Sequence, residues 1–198
     1  MPLLRHAAFS GFTSLIASVA SMASNHATPM TDEGLKTLLD HTPVVSVPLE
    51  IDSTTWKSDR DKPLTWIKAT EVERFFGSNP PGTTIRLWGQ FAIHGKVALI
   101  VIKSAVVDEA SLDTYLLATF QDDGTPITRI PLVHFAATTD RWDSGLVKIH
   151  PDFSIAGCIM HYKVISPDQK RVEGSPDCYC ASVGQDAKAK LVDCGKGG

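Results

Sequence analysis

The chain has no cysteine before position 158, no uninterrupted apolar run near the about 18 residues that cross a bilayer, and no excess of cations. Each lack narrows the function. Without a long apolar run, no stable membrane anchor is expected once the N-terminus is processed. With 19 Lys and Arg against 22 Asp and Glu, net charge −3, the chain offers no electrostatic footprint for nucleic acid. The Gly-x-Ser-x-Gly elbow, the phosphate-binding loop, Gly-x-Gly-x-x-Gly, His-Glu-x-x-His and the EF-hand loop are all missing. That removes the strong arguments for an enzyme without excluding one, and no cofactor or metal is expected. There is no clear internal repeat and no long low-complexity tract. At 198 residues of ordinary globular composition, one domain is the expectation.

The N-terminus has its own character. "MPLLRHAAFSGFTSLIASVASMASNHA" holds no acidic residue, one early cation at Arg5, a short apolar centre and small residues at cleavage spacing. This pattern predicts a secretory signal peptide over residues 1–27, followed by a single β-rich domain over 28–198. Removing Arg5 leaves 18 cations against 22 acids, a net charge of −4. Such a balance favours solubility and steers a basic partner towards the surface.

All four cysteines lie in the last quarter: Cys158, Cys178, Cys180 and Cys194. The one-residue gap of Cys178-Tyr179-Cys180 suits neither a zinc knuckle nor a thioredoxin-like motif. An even count in an exported chain predicts two disulfides. In a strand, residues 178 and 180 point to one face, so each should bridge to a different neighbouring strand. "SIAGCIMHYKVI" and "RVEGSPDCYCASV" read as strands around the "SPDQK" turn, and "AKAKLVDC" folds back after Gly184-Gln185-Asp186. The favoured pairing is Cys158–Cys180 with Cys178–Cys194, and the swapped pairing is the alternative.

Two short helices are expected before the strands. Thr31 reads as an N-cap for a helix near 32–40, with Leu35, Leu38 and Leu39 on one face. Thr70 and Glu73 read as a capping box, Val72, Phe75 and Phe76 as an apolar face, and Gly77 as the stop. "VVSVPLEI" reads as an edge strand because of Pro48, and the polar "DSTTWKSDRDKP" as a loop. From Thr83 onward the pattern is β-branched and aromatic. Breaks fall at His94-Gly95 and Asp123-Gly124, the latter a strong hairpin signal. The fold class expected is mainly β (α+β). About seven to nine strands form an antiparallel meander, curled or sandwich-like. Val97 to Ile102 is apolar on both faces, so helices should cover one face and the sheet should curl over the other.

Candidate chemistry is thin. His134, His150 and His161, with Asp140, Asp143 or Asp152, are the loose acid/base or metal candidates, although no two of these histidines share ligand spacing within a strand. Ser144 in "RWDSG" reads better as part of a turn than as a nucleophile, and "QDDGT" as a hairpin turn rather than a calcium loop. Trp56, in a charged loop with Arg60, reads as an exposed anchor for a partner, and Trp142 gives a similar, weaker signal. The sequence therefore favours a non-catalytic exported, periplasmic protein that binds a macromolecular partner, for example an inhibitor or immunity protein against an envelope-acting toxin. The alternatives are a small secreted hydrolase using His and Asp residues, and an envelope structural or ligand-binding module.

Overall fold

The computed structural model describes residues 32–107, 110–166 and 169–194. The expected signal peptide and Thr31 lie outside them. The described residues form three helices and ten strands in the order α1 (Glu33–Asp40), β1 (Leu49–Ile51), α2 (Ser53–Arg60), α3 (Ala69–Phe76), β2 (Thr84–Ile93), β3 (Lys96–Val107), β4 (Ala110–Phe120), β5 (Pro126–Ala137), β6 (Arg141–Ile149), β7 (Ser154–Ser166), β8 (Gln169–Val172), β9 (Asp177–Val183) and β10 (Ala189–Val192).

The helices start where short-range chemistry allows. Asp32 caps α1, its carboxylate accepting from the Leu35 amide at 2.8 Å. In the third helix the expected capping box does not form. Lys68 is the N-cap and makes no side-chain cap bond, so Thr70 already sits inside the first turn. The helix ends at Gly77, whose φ of 77° suits glycine, as expected. The polar stretch read as a loop is α2. Asp52 caps it by accepting from the Thr54 and Thr55 amides, and these bonds hold the Asp52 carboxyl below its usual range.

The sheet is antiparallel and open, with strand order β10-β9-β7-β6-β5-β4-β3-β2. It follows the chain as a meander, with one insertion. β7 is 13 residues long and carries β8 on the far half of one edge and β9 on the near half. The β2–β3 hairpin turns at His94 (φ 49°) and Gly95 (φ 76°), the two positive values a two-residue turn of this hand requires. The β4–β5 hairpin turns through Gly124 (φ 84°).

The sheet bends where β6 leaves β5. These strands pair only at Ala136–Asp143 and Ala137–Trp142, and further along β1 takes the same edge of β6. Gly145 lets β6 pass close to β5, since an added Cβ would meet Val133 Cγ2 at 1.8 Å. Across the gap the Tyr179 hydroxyl donates to the Leu132 carbonyl. Gly157 makes room for that ring, since a Cβ there would meet Tyr179 Cε1 at 2.3 Å.

Curling gives two cores. On the inner face, Ile100, Tyr115, Leu117, Phe135, Val147, Ile155 and Ala181 pack together from both halves of the sheet. On the outer face of β2–β4, α1 and α3 bring Leu35, Leu38, Phe75 and Phe76 onto Leu87, Leu99, Val101 and Phe120. β3 thus buries both faces, as its sequence requires.

The disulfides are Cys158–Cys178 and Cys180–Cys194, the swapped pairing rather than the favoured one. Register explains the correction. Cys178 lies directly opposite Cys158 on β7, whereas Cys180 faces Ala156. β10 ends at Val192, opposite Cys180, so Cys194 leaves the ladder and reaches Cys180 diagonally.

A candidate docking groove

The site is built from α2 inwards. Trp56 is only 9% exposed, so it is an inner wall and not the free-standing loop anchor read from the sequence. Its ring stacks on Phe135 with centroids 5.2 Å apart and planes 7° from parallel. Its Nε1 donates to Asp113 at 2.8 Å, and Ser104 Oγ donates to the same carboxylate. One helical turn on, the Arg60 guanidinium lies over the Trp56 ring, 5.3 Å from its centroid.

Asp59, 1% exposed, anchors the other end of the helix. It accepts from Tyr115 OH at 2.7 Å, from Trp88 Nε1, and from Lys62 Nζ at 2.7 Å. Burial first, then the bond and charge of Asp59, push the Tyr115 phenol far above its ordinary range. Asp59 and Asp113 therefore tie α2 to β2, β3 and β4.

Opposite α2 stands the β6–β8 tip. Register pairs Trp142 with Tyr162, Tyr162 with Val172, and Val164 with Lys170, which places these side chains on one face. Trp142 and Tyr162 stack with centroids 5.2 Å apart and a tilt of 30°. Lys170 Nζ sits over the Trp142 ring, 3.2 Å from its centroid. Burial, then the charge of Lys57, lowers the Lys170 ammonium below its usual range.

Between helix and tip runs a groove of about 280 Å³. Trp56 and Lys57 line one side, and Ala137, Thr138, Arg141, Trp142, Val164 and Lys170 the other. Two of the residues singled out in the sequence, Trp56 and Trp142, thus share one groove, with Arg60 over the first of them. Three cations line it and no carboxylate does. Its chemistry is an aromatic floor beneath positive charge. Lys57 stood out in the sequence only as one of the charges flanking Trp56, and only the fold brings it together with Arg141 and Lys170.

The histidine candidates fall elsewhere. His134, Asp143, His161 and Asp177 form a chain across β5, β6, β7 and β9. His161 Nδ1 meets Asp143 at 2.8 Å and its Nε2 meets Asp177 at 3.1 Å, while His134 Nε2 lies 3.5 Å from Asp143. An imidazole bonded to carboxylates through both nitrogens is held as the cation. Accordingly the bonds to Asp143 and Asp177 raise the His161 pKa. His150 does not join them; it lies beside β1, near Pro48 and Glu50. Asp140 accepts from Thr138, and Asp152 from Ser154 in the β6–β7 turn. Ser144 is inside strand β6 opposite Met160, not in a turn. Asp123 accepts from the Thr125 amide within the β4–β5 turn. Among the described residues, no His, Cys, Asp and Glu side chains are grouped to hold a metal ion.

Two other hollows are chemically plainer. One of about 280 Å³ opens between β5 and the β9–β10 end, lined by Ile130, Leu132, Val133, His134, Ile159, Tyr179 and Leu191, and it is almost wholly apolar. The other, of about 520 Å³, lies between α3 and β2, with Glu73 as its one charged lining residue.

No protein-family model, curated protein or solved structure matches this chain.

Proposed function

We propose that this chain is a non-catalytic, exported binding protein that docks a macromolecular partner, most simply a protein, in the groove between α2 and the β6–β8 tip. One observation carries the reading. Trp56 and Trp142 face a common groove whose helix wall is bolted down by the buried carboxylates of Asp59 and Asp113. Rigid aromatic side chains flanked by cations are what binding hot spots use. Both cysteine pairs are oxidised, which suits an oxidising, extracellular environment. Among the described residues, no helix is long and apolar enough to cross a membrane. A periplasmic inhibitor or immunity protein that blocks an envelope-acting toxin is the concrete form this reading takes. The acidic net charge gave a basic partner as the first expectation, but the local charge of the groove is of the opposite sign.

The test is comparative capture. The mature chain and a Lys57→Glu, Lys170→Glu variant are each used as bait in envelope extract from the native host. A Lys148→Glu variant at the far end of β6, beside β1, serves as the control. Species held by the wild type and the control but not by the groove variant support the reading. Equal capture by all three contradicts it. The hydrolase alternative has the His134–Asp143–His161 chain in its favour. It is favoured over docking only if a hydrolytic activity disappears in a folded His134→Ala variant.

A further inference from the structure

Charge within the groove is sorted more sharply than the chain as a whole. The sequence has more acids than bases, 22 against 19. Yet Lys57, Arg141 and Lys170 line the groove, and Arg60 covers its Trp56 wall. On the reverse face of the same strands, Arg141 lies opposite Lys163, and Lys163 opposite Arg171. Among the described residues, none of these six cations has an ion-pair partner. Like charges directly opposite across strands destabilise a sheet. The nearby acids do not relieve them within the groove. Asp143 is engaged by His161, Asp140 accepts from Thr138, and Glu173 lies beyond Arg141 with His161.

We propose that the groove receives an extended acidic segment of a protein partner, whose carboxylates take Lys57 and Lys170 while its apolar stems lie on Trp142 and Val164, with Arg141 at the groove's edge from the reverse face of β6. This rests on the groove being the docking site. Charge complementarity gives the sign of the partner. The floor gives its class: Lys57 and Lys170 stand beside the aromatic and aliphatic surface of Trp142 and Val164, which a compact phosphate would leave uncovered. That suits side chains carrying a carboxylate at the end of a methylene stem.

The geometry also supplies a readout. Lys170 Nζ rests 3.2 Å from the Trp142 centroid in the free protein. A carboxylate is a stronger partner for an ammonium than an exposed indole face. Binding therefore draws Lys170 off the ring and changes the Trp142 emission.

The mature protein is titrated with a ten-residue peptide of glutamates and two phenylalanines, with its glutamine twin, and with inorganic tripolyphosphate, following tryptophan emission and heat. The expected result is saturable binding of the glutamate peptide, about tenfold or more weaker for the glutamine twin and weakened by salt. Lys57→Gln and Lys170→Gln should each reduce affinity several-fold at unchanged melting temperature. Trp142→Phe should remove the emission change and leave measurable heat. Equal affinity for both peptides overturns the acidic class. So does tighter binding of tripolyphosphate through the same lysines, and so does no binding of the glutamate peptide. If that peptide fails while capture from extract still depends on Lys57 and Lys170, the acidic class is wrong and the docking site stands. If capture is also independent of them, both fall.

Discussion

Trp56 Nε1 donates to the buried carboxylate of Asp113 at 2.8 Å, and this bond fixes one wall of the groove to strand β4. Removing the acceptor leaves an indole N–H and the Ser104 hydroxyl without their partner. Asp113→Ala should therefore cost about 1–3 kcal/mol of stability. Asp113→Asn keeps an acceptor oxygen and should cost less. Denaturant unfolding measures both. Near-ultraviolet circular dichroism should show Trp56 losing its fixed environment in the alanine variant, and an unchanged spectrum at wild-type stability would refute the coupling.

Gly145 is needed for the close approach of β6 to β5. A Cβ there would meet Val133 Cγ2 at 1.8 Å and the His134 carbonyl at 3.0 Å. Gly145→Ala should destabilise by about 1–3 kcal/mol or more, as overpacked cores do. Adding Val133→Ala should recover part of that loss. A double-mutant cycle with strictly additive costs would show that the crowding is not between these two residues.

The His161 bridge makes a signed pH prediction. Its folded pKa is raised above the ordinary value of 6.5 by Asp143 first and by Asp177. A raised histidine pKa contributes stability that is fully present below the unfolded value, near 6.5, and is lost as pH rises through the folded value. Wild type should therefore gain stability relative to His161→Gln when pH falls from about 8.5 to 5.5. Asp177→Asn should shrink that gain. A stability difference between the two proteins that does not change with pH would remove the bridge from the account.

The disulfide register predicts which peptides stay joined. Non-reducing digestion should link Cys158 to Cys178 and Cys180 to Cys194, the separations being 20 and 14 residues. The loop-entropy account gives each bridge about 3 kcal/mol. Cys194→Ser should nonetheless cost less than Cys158→Ser, because its bridge holds only the short outer strand β10, where Leu191 is already 78% exposed. A Cys158–Cys180 peptide would contradict the register described above.

The legible parts of the fold were those that local chemistry decides. Hairpins at His94-Gly95 and Asp123-Gly124 were readable because few residues accept a positive φ. The two-faced burial of β3 showed in the run Val97 to Ile102. Helix α2 was hidden because its buried face is one tryptophan and one aspartate, and burial of Asp59 depends on Tyr115 and Trp88, 56 and 29 residues away. Only the Asp52 cap signalled it. The cysteine pairing was legible in part: the turn places Cys158 roughly opposite residues 177–179, but the same counting sets Cys194 near 176–178, whereas β10 ends at Val192 opposite Cys180 and sends Cys194 there. The groove lysines were the least legible, since exposed lysines are ordinary until a fold gathers them over a tryptophan.

The most direct test is the affinity of the captured partner for the wild type, for the Lys57→Glu, Lys170→Glu variant and for Lys148→Glu, measured by calorimetry at one ionic strength. Reversal of two groove charges should weaken binding by at least about a hundredfold, while Lys148→Glu stays within about twofold of wild type. Equal affinities for all three proteins would contradict docking in the groove between α2 and the β6–β8 tip.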